Sequence, residues 1–216
     1  MELGRIDITT EVSMMASCMA MPRTGHLDQL FHIFAFLKVK HNSEMVFDPT
    51  EPDIDESVFP KEDWSSTVYG ECSEKLPSKA LEPRGLGFKI KAYVDSDHAG
   101  DHTVTRQSRT EFIVYLLNSA PIYWSSKKQG SVETSTYASE FCAMKNCCEY
   151  IRGLRYKLQM MGIPCDFPAY ILDDNQSVLV NSSSKPFSVL KKNQVLSHII
   201  LCEKELRVMN GDVHMS

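Results

Sequence analysis

The chain has 216 residues, of which 43% are hydrophobic and 24% charged, enough apolar material for a core and unlike a disordered tail. No run approaches the ~18–20 apolar residues of a helical membrane span, and residues 1–13, with Glu2 and Asp7, lack the basic start and apolar stretch of a signal peptide. The net charge of −5 argues at first sight against nucleic acid. It is unevenly spread, however: segment 48–74 holds nine acids against Lys61 alone, so the rest of the chain is net positive. The seven cysteines (Cys18, Cys72, Cys142, Cys147, Cys148, Cys165 and Cys202) form no C-x2-C pair. Three share one helical pattern, as expected of free thiols inside a cell, in cytoplasm or nucleus, rather than of a zinc site.

Residues 1–47 read as helical. Leu27, Leu30, Phe31, Phe34 and Leu37 recur at three- and four-residue spacing, and Pro22 and Gly25 separate them from an apolar stretch at 12–19. Two such helices cannot bury both their apolar faces, so they look like the edge of something larger. Residues 48–87 carry Pro49, Pro52, Pro60, Pro77 and Pro83 among the acids, which predicts an extended linker or lid. A domain at 88–216 follows. Phe88, Ile90, Ala92 and Val94 alternate with polar or half-polar neighbours, the period of a strand. Runs 111–117 and 120–125 predict a hairpin turning at Asn118-Ser119. Tyr137, Phe141, Met144, Cys148, Ile151, Leu154, Leu158 and Met161 mark a long helix, capped by Ser or Thr at 134–136 and stopped by Gly162 and Pro164. A strand at 169–173, a short helix at 175–180, a basic loop with Lys185, Lys191 and Lys192, and a final helix over 195–209 complete the prediction. Residues 211–216 read as a turn and the first residues of an unfinished strand. The fold class is α/β, a mixed sheet with flanking helices.

Three acids stand at strand ends or a helix start: Asp95, Glu140 and Asp174. Each has a plainer use. An Asp after a strand forms turns, and a Glu in a first helical turn complements the helix dipole. If the three converge, their repulsion calls for a divalent cation, and hard oxygens suit Mg²⁺ or Mn²⁺. Two such ions about 3.5–4 Å apart can activate water and stabilise the leaving oxygen of a phosphodiester.

The runs Asp95-Ser96-Asp97-His98-Ala99-Gly100-Asp101, Thr105-Arg106-Gln107-Ser108 and Ile122-Tyr123-Trp124-Ser125-Ser126-Lys127-Lys128-Gln129 resemble the ribonuclease H domain of copia-type retrotransposons. Ser135-Thr136-Tyr137-Ala138-Ser139-Glu140-Phe141 and Asp174-Asn175-Gln176-Ser177 resemble its next two blocks. Upstream, Arg5-Ile6-Asp7-Ile8, Val12-Ser13, Pro22-Arg23, His26-Leu27 and Phe36-Leu37-Lys38 resemble the end of the same elements' reverse transcriptase. The resemblance implies a ribonuclease H-like fold at 88–216 behind a reverse-transcriptase remnant at 1–47. It makes Asp95, Glu140 and Asp174 catalytic ligands of two Mg²⁺ or Mn²⁺ ions, and the RNA strand of an RNA–DNA hybrid the substrate. The remainder of a retroelement polymerase is an implied partner. Arg106, Ser108, Lys127, Lys128, Gln129 and Asn175 are candidate nucleic-acid contacts, although surface lysines more often serve solvation. Trp124 either stacks on a base or packs in the core.

This sequence departs from the family in three ways. The polymerase's Tyr-x-Asp-Asp motif lies upstream of anything present, so the chain is not expected to polymerise. The family's fourth carboxylate, in an Ala-Asp-x-Leu-Thr-Lys-like stretch, falls beyond Ser216, and Asp212 sits on the turn before that strand. Glu111 stands where a Gly is usual. A catalytically silent nucleic-acid-binding or polymerase-packing module is therefore the second reading. A third takes Asp95-Ser96-Asp97 as the metal motif of a nucleotide-sugar glycosyltransferase, but 1–87 lacks the nucleotide-binding βαβ array such enzymes need.

Overall fold

A computed structural model describes residues 5–54, 78–100, 105–175, 177–178 and 198–201, the last four by their backbone alone. A 3₁₀ turn at Ile6–Ile8 leads into α1 (Thr9–Ser17) and α2 (Thr24–Val39), where the apolar spacing predicted helices. Then come β1 (Ile90–Asp97), β2 (Arg109–Leu116), β3 (Ala120–Lys128), α3 (Thr136–Met160), β4 (Ala169–Leu172) and β5 (His198–Leu201). The strands form one mixed sheet in the order β3-β2-β1-β4-β5. β1–β2–β3 is an antiparallel meander, β4 runs parallel to β1 after the α3 crossover, and β5 is antiparallel to β4. This mixed sheet with flanking helices is consistent with a ribonuclease H-like fold. No described helix is long and apolar enough to cross a membrane.

Alternation in β1 dictates the core. Ile90, Ala92 and Val94 are buried, as are Phe112 and Val114 beside them on β2. Against this face α3 lays Ala143, Met144, Cys147, Cys148 and Ile151. Tyr123 and Tyr150 stack with ring centroids 3.9 Å apart, and Phe112 lies 5.7 and 5.9 Å from the two rings. The Ser135 hydroxyl caps α3 by accepting the Ala138 N–H at 3.2 Å, and Gly162, at φ +74, ends it in the left-handed region. Met161, predicted on the helix's apolar stripe, lies past its last turn and is 67% exposed. On edge strand β3 the register slips so that Ile122 has no partner, next to Pro121, which has no N–H to give.

The hairpin turn comes where Asn118-Ser119 predicted it. The acidic segment contributes a clasp there: Asn118 Nδ2 donates to Asp48 Oδ2 at 2.7 Å, and the Asn118 N–H donates to the Thr50 carbonyl at 2.9 Å. The predicted final helix over 195–209 is corrected at 198–201, which is strand β5. Its Ile199-Ile200-Leu201 run is short and apolar, a pattern helices and strands share, and pairing satisfies the outer backbone groups of β4. Lys185, Lys191, Lys192, Asp212 and the predicted turn and strand at 211–216 lie outside the described residues.

Candidate metal centre

The sheet register brings the first two acids together. Tyr93 and Leu172 are partners in the parallel β1–β4 pair. Two residues beyond this pair stand Asp95, near the end of β1, and Asp174, just past the end of β4, at the carboxyl side of adjacent parallel strands where open α/β sheets present functional groups. Glu140 arrives from the first turns of α3. One carboxylate oxygen from each of Asp95, Glu140 and Asp174 lies within 4.8 Å of the other two. Asp95 and Asp174 are exposed, whereas Glu140 is buried.

Electrostatics mark this cluster. Burial first, and then the charges of Asp173, Asp95 and Asp174, push the Glu140 carboxyl up to about 8. Its Oε2 is buried with no hydrogen-bond partner. Asp173, one residue before Asp174, is 3% exposed, and burial pushes its carboxyl up to about 6, aided by Asp174 and Asp95 against a hydrogen bond from Asn175 that lowers it. Asp173 Oδ1 accepts the Asn175 N–H at 2.7 Å, while Oδ2 has no partner. The orphaned buried oxygen of Glu140 beside the exposed carboxylates of Asp95 and Asp174 forms a donor set that fits a hard divalent cation. The acidic triad can hold a metal ion.

Supporting contacts fix the acids in place. Gln129 is buried, and its Nε2 donates to Thr110 Oγ1 at 3.0 Å and to the Ser139 carbonyl at 2.9 Å, tying the residue before Glu140 to β2. Ser108 is fully buried. Its hydroxyl accepts the Ala99 N–H at 3.1 Å and its carbonyl accepts the Gln129 N–H at 2.8 Å, which braces the turn after β1. That turn has Ala99 at φ 54, and Gly100 passes so close to the Asp97 carboxylate that a Cβ would collide with it. Asn175 Oδ1 accepts the Ser177 and Val178 N–H groups at 3.0 and 3.3 Å and opens the next helical turn.

Of the six candidate nucleic-acid contacts, Arg106 and Lys127 are exposed, Lys128 and Asn175 half-buried, and Ser108 and Gln129 internal. Trp124 is half-buried, neither in the core nor free on the surface. Sequence reasoning passed over Asp173, which directly follows the buried strand β4 and is itself buried. It also gave no role to Glu111, the cross-strand partner of Asp95, whose Oε1 accepts the Ser126 hydroxyl at 2.8 Å.

A parallel β1–β4 pair, a crossover helix and three acids gathered near their ends define an α/β domain with an acidic cluster that could hold a metal ion. Comparison with known proteins adds an origin. Over 135 residues, 61% of the chain, it is 31% identical to the retrovirus-related Pol polyprotein from transposon RE2 of Arabidopsis thaliana. It is 30% identical over the same length to that from transposon RE1 of the same plant. The match spans 9% of the length of each relative. These similarities support a retrotransposon polyprotein as the source of the chain. No protein-family profile matches it, and no solved structure does.

Proposed function

We propose that this chain carries a ribonuclease H-like nuclease domain of copia-type retroelement descent, acting on the RNA strand of RNA–DNA hybrids. The observation that carries the reading is the gathering of Asp95, Glu140 and Asp174 within 4.8 Å at the ends of β1, α3 and β4. The three would hold two Mg²⁺ or Mn²⁺ ions. Such ions, when bound, supply an activated water and charge stabilisation at a phosphodiester. The chain's own part is positional. The parallel register sets Asp95 beside Asp174, and Gln129 holds the start of α3 so that Glu140 stays above them. Exposed Arg106 and Lys127 are suited to phosphate contacts that orient a duplex.

In this reading 88–216 is the nuclease domain, 48–87 a connecting segment, and 1–47 a remnant of a reverse transcriptase that packs against the remainder of a polymerase. The test is cleavage of an end-labelled RNA–DNA hybrid with Mg²⁺ or Mn²⁺. The chain cleaves it, and Asp95→Asn lowers the rate by about 10²–10³-fold, as when charge stabilisation is removed from an active site. Absence of cleavage with either metal would overturn the nuclease reading.

A further inference from the structure

A second feature adjoins the acid cluster. Between the amino-terminal helical segment and the sheet face opposite α3 lies a cleft of about 200 Å³. Ile6, Thr9 and Thr10 line one side. Tyr93, Ile113 and Trp124, partners across β1, β2 and β3, line the other as one row. Asp95 and Glu111 also line it, and its lining includes no Lys, Arg or His. Polar ties hold the helix in place: Arg109 Nη1 donates to the Ser13 hydroxyl, which donates to the Ser126 carbonyl, each at 2.6 Å.

We infer that this cleft is a nucleobase slot, taking the base next to the phosphate presented to the acids. The inference rests on the nuclease reading for that last phrase alone; the slot itself follows from its lining. Two carboxylates without a countercharge reject a phosphate, whereas a neutral flat ring meets aromatic surface on the sheet side and Ile6 with the two threonines on the helix side. The volume falls below the ~300–1,000 Å³ of sites that enclose drug-sized ligands, so the slot suits a single ring system. Stacking on Trp124 or Tyr93 tolerates any base, because each has a π-face. The Thr10 hydroxyl can bond a base edge, and the Thr9 hydroxyl, which donates to the Arg5 carbonyl at 3.3 Å, can still accept from one. Asp95 belongs to both the slot and the acid cluster, so a base seated here leaves its phosphate beside the carboxylates.

The experiment uses the whole chain in EDTA with free adenosine and cytidine as probes, read by saturation-transfer NMR. Both nucleosides receive saturation at millimolar concentration, and ribose 5-phosphate, which lacks a base, does not. Trp124→Ala weakens binding about 10-fold or more. Thr10→Phe, which fills the slot from the helix side without touching the core, abolishes it. No transfer to either nucleoside, equal transfer to ribose 5-phosphate, or unchanged binding in a folded Thr10→Phe chain would overturn the slot. The assay contains neither metal nor hybrid, so it is independent of cleavage. Nucleoside binding without cleavage keeps the slot and removes the nuclease; cleavage without nucleoside binding removes the slot alone.

Discussion

Helix α3 buries nine residues, among them Met144, Cys147 and Ile151, whereas α1 and α2 bury none. Yet α2 is the more apolar to the eye, with Leu27, Phe31 and Phe34 each more than half exposed. The contrast separates two sources of helical order. α3 is held by a continuous apolar face against β1 and β2, the chief origin of helix stability in proteins. α1 is held to the sheet by short polar ties, and α2 shares with it a cleft lined by residues such as Ile8, Met15, Ile33 and Phe36. Apolar spacing therefore announces a helix without naming what the helix packs against.

The comparison breaks first on truncation of apolar side chains. Met144→Ala should cost about 2–5 kcal/mol in urea unfolding, since the side chain is wholly buried and leaves a cavity. Phe34→Ala, at 57% exposure, should stay within about 0.5 kcal/mol. Equal losses would mean that α2 belongs to the core after all.

Next in size is the effect of pH on the α3 start. In metal-free protein the Glu140 carboxyl holds its proton up to about 8, against an ordinary 4.5. The folded state binds that proton more tightly than the unfolded state does. Its contribution is thus full below about pH 4.5 and lost as pH rises through about 8. Asp173, raised from 3.8 to about 6, acts in the same direction over a lower window. The thermal midpoint should fall as pH climbs from 4.5 to 8 and, on the proposed reading, recover with Mg²⁺, because a cation held by the folded cluster alone stabilises the folded state. Glu140→Gln should remove most of that slope.

Smaller again is the helix-to-sheet tie. Ser13→Ala should cost about 1–3 kcal/mol, because it takes a partner from the largely buried Arg109 guanidinium, and it should speed protease cutting within α1 but not α3. Ser135→Ala should cost about 1 kcal/mol through the lost cap, read as a shift in urea midpoint with unchanged slope.

The period-two run through Ile90, Ala92 and Val94 and the period-3.6 run through Met144, Cys148 and Ile151 made the body of the fold legible, because each pattern matches the face its element buries. Asp95, Glu140 and Asp174 could be singled out by their motifs and their stations at strand ends and a helix start. Their gathering depends on the Tyr93–Leu172 register, a pairing across the α3 crossover that spacing cannot supply. Ser108 and Gln129 read as candidate nucleic-acid contacts because nothing local signals that a Ser and an amide will be buried to satisfy one another's neighbours. The Ser13–Ser126 bond joins residues 113 positions apart and leaves no trace in either segment. At 198–201 the failure was local: four residues are too few for helix and strand periods to differ.

Gln129 shows where such a centre is vulnerable. Its amide spans a gap between a strand and the opening turn of a helix, and a strut works only at one length. Replacing it by Glu would turn a donor into an acceptor facing the Ser139 carbonyl, and replacing it by Leu would remove the strut altogether. In either case all three acids would remain in the sequence while one of them drifted out of reach of the other two. A lineage can thus keep every signature residue of this centre and still lose the spacing that gives those residues a common task.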